Sequence, residues 1–171
     1  MRYRKKLQRR GVASVELAFV VLFFFIPVLF GIWEAGRLIE VHQIVSKSAR
    51  EGARLAAQGY TINATGAPTQ IMAQSGSPNV HDTVYQYLIA AGFTNLQRSD
   101  VAVTFAFADS PNPDPYMGIK NEPFTVAVSV PWNKVRWVNV GLINPTQVKF
   151  TATWQMLVDD AFNVNQTMPS L

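Results

Sequence analysis

A chain of 171 residues with 15 lysines and arginines, 11 aspartates and glutamates and no cysteine has room for one globular domain beside a membrane helix, at roughly 100–200 residues per domain. It has no means of forming a disulfide framework. Six of the 15 bases, Arg2, Arg4, Lys5, Lys6, Arg9 and Arg10, precede Gly11 with no acid among them, so the remainder holds more acid than base and lacks the basic cluster that a nucleic-acid partner needs; no nucleic-acid partner is expected.

Residues 1–11 read as a basic cytoplasmic leader. Bases flanking one end of an apolar helix hold that end in the cytoplasm, which sends the rest of the chain to the far side of the membrane. In a bacterium with two membranes that side is the periplasm, where disulfides are permitted, so a cysteine-free domain there must be held by its apolar core. From Leu17 to Trp33 no residue is charged, and with Val12, Ala13 and Val15 in front the segment 12–33 reaches the roughly 20 residues that a helix needs to cross a bilayer. A cleaved secretory signal has a shorter apolar run ending at small residues, whereas this run is longer and ends in Trp33-Glu34.

Glu16 is the only charge inside the apolar segment. A carboxylate in lipid costs about 2.5 to 3.5 kcal/mol even on lenient insertion scales, which makes it a functional candidate whose partner must be named. On position alone it could equally lie at the headgroup boundary, where water reaches it. Upstream, Arg9-Arg10-Gly11 ends in a residue without Cβ, where a protease can bind the backbone closely. A cut between Gly11 and Val12 would make Glu16 the fifth residue of the product.

Pro27 falls inside the apolar run, where it removes a backbone hydrogen bond and is expected to kink the helix; neighbouring helices can make such a kink tolerable in a membrane. Beyond the bilayer, residues 34–58 continue the helix. Leu38, Val41, Val45, Ser48, Gly52 and Leu55 recur at steps of three and four, which keeps one face toward a partner. Glu34 with Arg37, Lys47 with Glu51 and Glu51 with Arg54 are spaced to form surface pairs. A helix from Val12 to about Gln58 is roughly 70 Å long at 1.5 Å per residue. Gly59 is the expected stop, because glycine adopts the left-handed conformation that commonly ends helices.

Residues 59–79 have a loop composition rich in Gly, Pro, Ser, Thr and Asn. Ser77-Pro78 reads as the cap and first turn of a short helix with the stripe Val80, Val84, Leu88 and Ala91, opening a head that spans 80–171. Three runs of period two follow: Val101 to Phe107, Phe124 to Val130, and Val148 to Met156. Amphipathic strands without βαβ patterning argue an antiparallel sheet with one covered face. The expected fold is α+β and pilin-like: a long N-terminal helix, membrane-spanning in its first half, packed with a short helix on a three-stranded antiparallel sheet. Between the strands, the prolines of 109–123 should be exposed. Trp132, Lys134, Arg136 and Trp137 interleave bases with aromatics, a pattern suited either to stacking on a sugar or partner surface or to packing on the sheet edge.

No chemistry of an enzyme emerges. His42 and His81 lack metal-ligand spacing, Asp109, Asp114 and Asp159-Asp160 are scattered, and no phosphate loop or nucleophile motif is present. No catalytic residue, metal or cofactor is expected.

The run Gly11-Val12-Ala13-Ser14-Val15-Glu16-Leu17, a basic leader ending in glycine with a glutamate fifth after it and an apolar helix beyond, resembles the prepilins and pseudopilins of type IV-like filaments. With FGIWEAGR at Phe30–Arg37 and AREGAR at Ala49–Arg54, the chain is most similar to the TadE-like proteins of the tight-adherence (Flp) pilus system, over residues 9 to about 57. Val12 stands where many pilins carry phenylalanine. The resemblance implies a minor pilin or pseudopilin of the bacterial inner membrane with its head in the periplasm. It also implies cleavage between Gly11 and Val12 by a membrane-embedded prepilin peptidase, and pairing of Glu16 with the amino terminus of a neighbouring subunit. The implied partners are that peptidase, other pilin or pseudopilin subunits, the Tad inner-membrane assembly platform and the lipid bilayer. The competing reading is an unprocessed, membrane-anchored binding module with residues 1–11 as a topogenic tail.

Overall fold

The computed structural model describes residues 6–137, 141 and 144–157, with side chains from Gly11 onward. It divides into two compact units, one formed by the chain up to Ile39 with Arg136–Asn144, the other by Glu40–Val135 with the segment from Pro145.

In the first unit, helix α1 (Lys6–Val20) passes through a wide π turn at Val21–Phe25 into α2 (Ile26–Ala56). The helix begins at Lys6, ahead of the expected Val12. Lysine, leucine, glutamine and arginine are good helix formers, and one internal glycine costs only about 1 kcal/mol, so Gly11 does not interrupt it. The π turn lies directly before Pro27. Proline cannot donate to the carbonyl four residues back and its ring crowds that carbonyl; the ladder widens upstream, and the Ile26 N–H bonds to the Val21 carbonyl five residues back. Residues 11–30 are exposed almost throughout. One helix among the described residues, within Gly11–Ala56, is long and apolar enough to cross a membrane, and none of its most apolar window is buried within the protein. This fits a single-pass membrane protein.

The second unit takes α2 from Glu40 onward. Val41, Val45, Ala49, Ala53, Ala56 and Ala57 are fully buried there, on the face that the three-and-four spacing marks. The helix closes where Gly59 takes a φ of 65° and its N–H bonds to the Ala56 carbonyl. Of the expected surface pairs, Glu51 and Arg54 meet at 2.6 Å.

The small residues of this face permit close approach. A Cβ placed on Gly52 would lie 2.6 Å from Val84, 3.3 Å from Val80 and 3.7 Å from Val126, so the stem meets both the short helix α3 (Val80–Ala90) and the sheet at this point. The sheet has the order β3-β4-β5 (Ala102–Phe107, Pro123–Pro131, Gln147–Gln155) and is antiparallel throughout. In central β4, Phe124, Val126, Val128 and Val130 are all fully buried, as period two requires of a sheet covered on one face. Pro123 opens that strand, a position where its missing N–H is tolerated.

Four expectations are corrected. The stretch 59–79 is more than a loop: Tyr60–Ile62 (β1) pairs with Pro68–Gln70 (β2), and the Asn63 side chain closes the turn by accepting from the N–H groups of Thr65 and Ala67. The cap of α3 is Asn79 rather than Ser77. Its side-chain oxygen accepts from the Asp82 N–H at 2.7 Å while its amide donates to the Gly76 carbonyl and to the Asp82 carboxylate, two donors beside the acceptor where a serine has one. Ala91 lies exposed, and the fourth buried residue of α3 is His81, whose Nε2 lies 2.9 Å from the Val101 carbonyl. Among the prolines of 109–123, Pro115 is buried because its 3₁₀ turn is clasped to 71–73. There the Tyr116 N–H donates to the Ile71 carbonyl and the Ala73 N–H to Asp114.

Asp82 also accepts from Arg98, whose guanidinium reaches on to the Gln74 carbonyl at 3.1 Å. Arg98 first, then Asn79, holds the Asp82 carboxyl below its ordinary value. A carboxylate with a folded-state pKa below its unfolded value contributes stability above the unfolded value, and that contribution fades as pH falls through the folded one. The effect is small, since the side chain is 45% exposed. Arg98→Ala should move the Asp82 carboxyl resonance midpoint up toward the ordinary range near pH 3.9; an unmoved midpoint would remove Arg98 as the cause.

Candidate assembly and processing site

Gly11, Val12 and Glu16 all lie on α1 and all are exposed. A Cβ built on Gly11 meets nothing within 4 Å, so the glycine answers no packing demand of the fold. Val12 and Glu16 are four residues apart and therefore on one side of the helix, one turn from each other. A carboxylate on a residue of this helix leans toward the N-terminus. Among the described residues Glu16 has no hydrogen-bond or ion-pair partner. The arrangement therefore offers an anionic group beside residue 12, on an apolar surface free to receive another helix.

Further along, the aromatic residues at the end of the apolar run form a cluster. Phe30 and Trp33 have ring centroids 6.3 Å apart, Trp33 and Trp137 6.2 Å apart, and the Arg37 guanidinium carbon stands 4.3 Å from the Trp137 ring centroid. Glu34, expected on the surface, is buried.

The interleaved tryptophans and bases do not make one binding face. Trp132, in the single-turn helix α4 (Trp132–Val135), is fully buried in the second unit, with its backbone N–H on the Thr146 carbonyl. Lys134 approaches Asp100 at 3.5 Å, and Arg136 donates to the Asn144 side chain. Trp137 belongs to the first unit. The candidates for chemistry are equally dispersed: His42 is edge-on to Phe150, His81 faces a carbonyl, Asp109 is exposed and Asp114 clasps a loop. Asp159-Asp160 lie outside the described residues, as does the head beyond Leu157. Among the described residues no group of three metal-binding side chains is assembled.

Spacing and residue type mark Gly11, Val12, Glu16 and Pro27 as candidates. They could not reveal the meeting of Trp33 with Trp137, since no local signal links positions so distant in the chain.

Compared with known families, residues 11–54 match the one described as TadE-like protein. No curated protein and no solved structure matches the chain.

Proposed function

We propose, for a chain that is TadE-like over residues 11–54, that it is a structural subunit of a Tad pilus system rather than an enzyme. It is a minor pilin or pseudopilin inserted once in the inner membrane, with its N-terminus cytoplasmic and its head periplasmic. A prepilin peptidase cuts it between Gly11 and Val12, and Glu16 then pairs with the amino terminus of a neighbouring subunit. The observation that carries this reading is the coincidence of two boundaries. The family match begins at Gly11, and the basic leader ends there.

The physics of the pair supports the assignment. An ammonium at Val12 and a carboxylate at Glu16 are each costly in lipid, and each relieves the other's desolvation. A subunit out of register leaves both uncompensated, so the pair sets register as well as attraction. The π turn before Pro27 gives the apolar helix a local departure from straightness, which suits a segment that must pack in the bilayer and again in an assembly.

One observation favours the alternative, an unprocessed anchor for a periplasmic binding module: α1 runs unbroken from Lys6 through Gly11. The two readings separate at Gly11. Gly11→Leu should keep the chain full-length in cells with an active prepilin peptidase, because a branched side chain then stands where the backbone must be approached. Cleavage equal to wild type would place the cut elsewhere.

A further inference from the structure

We infer that Trp137 is a second contact of this protein with the membrane: its ring lies in the outer lipid interface, beside the transmembrane helix. The inference rests on the reading of 12–33 as the membrane span and adds to it a residue from a distant part of the sequence.

Depth follows from the helix. From Val12 to Trp33 the rise is about 33 Å at 1.5 Å per residue, close to the roughly 30 Å hydrocarbon core. Trp33 therefore stands at the far boundary, the level where tryptophan is enriched because its ring is apolar and its N–H polar. The Trp137 ring is 6.2 Å from the Trp33 ring, about one ring's width, so it shares that level. Arg37, one turn beyond Trp33, is 4.3 Å from the Trp137 centroid. A cation held over an indole face one turn beyond the apolar run lies where lipid phosphates are.

Exposure supplies the second argument. Trp137 is 62% exposed and Trp33 48%, although tryptophan is on average highly buried in a folded protein. The exposed ring meets Trp33, which stands on the bare apolar helix where Leu29 and Ile32 are 60% and 66% exposed. Arg136 precedes Trp137, but the sequence that follows, Val-Asn-Val-Gly-Leu-Ile-Asn144, has no charge. These features suit a lipid interface better than a sugar, which would require polar groups converging on the ring.

The four tryptophans allow a direct test with the full chain reconstituted in phosphatidylethanolamine/phosphatidylglycerol vesicles. In Trp33→Phe/Trp154→Phe the remaining emitters are Trp132, fully buried in the protein, and Trp137. In Trp137→Phe/Trp154→Phe they are Trp132 and Trp33. Lipid brominated high on the acyl chain should remove the greater part of the Trp33 and the Trp137 emission alike, and acrylamide should quench Trp137 weakly. Quenching of Trp33 by bromolipid with Trp137 quenched by acrylamide alone would place Trp137 in water and overturn the inference while leaving the span intact. Protection of Trp137 from both quenchers would assign the ring to a protein contact, such as a second copy, and would overturn it as well. Trp33 untouched by bromolipid would remove the span itself, and the inference with it.

Discussion

Glu16→Ala should yield a chain that is cut and membrane-inserted as efficiently as wild type yet fails to enter an assembly. Removing the carboxylate makes the helix more apolar, so insertion does not suffer, and it leaves Gly11 and Val12 unchanged for the peptidase. What changes is the partner's ammonium, which loses the group that offsets its desolvation. With about 2.5 to 3.5 kcal/mol at stake for an uncompensated charge in lipid, co-isolation with neighbouring subunits should fall on the order of 100-fold, at about 1.4 kcal/mol per factor of ten. Glu16→Asp keeps the charge on a shorter arm and should restore part of the loss. Quantifying cleaved chain in membranes and in sheared pilus fractions checks both halves, and normal assembly of Glu16→Ala would make the pairing role wrong.

Gly52→Leu should unfold the second unit while sparing the membrane helix. A Cβ at this position would already be 2.6 Å from a methyl of Val84, and valine, branched at Cβ, cannot turn that methyl aside without leaving its preferred rotamer. Overpacking of this kind costs about 1 to 3 kcal/mol for small additions and more for large ones, against a total stability of about 5 to 15 kcal/mol for a domain. Gly52→Ala is the finer test. It gains about 1 kcal/mol of helix propensity and loses more to the collision, so a net loss of about 1 kcal/mol is expected. Val84→Ala, destabilising alone, should cost less in the Gly52→Ala background. Thermal melts followed by Trp132 fluorescence read all of these, and a wild-type melt for Gly52→Leu would show that α2 and α3 do not meet at this glycine.

Much of this architecture is legible in residue order because the pattern repeats. The alternation Phe124, Val126, Val128, Val130 has one physical solution, a strand with one face covered, and the spacing of Val41, Val45 and Ser48 has another. Gly59 was readable because a left-handed residue is needed where a helix ends.

The illegible parts lack repetition. Strands of three residues such as Tyr60–Ile62 carry no period, so their pairing with Pro68–Gln70 is decided by the Asn63 turn. The choice of Asn79 over Ser77 as cap depended on a hydrogen bond to Gly76 that only the folded turn provides. The burial of Pro115 depended on a clasp to 71–73, far away in sequence.

At the candidate site the division is similar. Gly11, Val12 and Glu16 stand out as candidates from residue type and spacing, because a lone carboxylate in an apolar helix demands a partner. In the proposed assembly that partner belongs to another chain, which no property of this sequence identifies. Trp33 was readable as the end of an apolar run, and its neighbour Trp137 was not.

The central claim is that the molecule works as the product of a cut after Gly11. The most direct measurement is the intact mass of the chain recovered from membranes of cells with the prepilin peptidase and of cells lacking it. Loss of residues 1–11 only where the peptidase is present is the predicted result, and full-length chain in both would contradict it and leave a signal-anchored binding module.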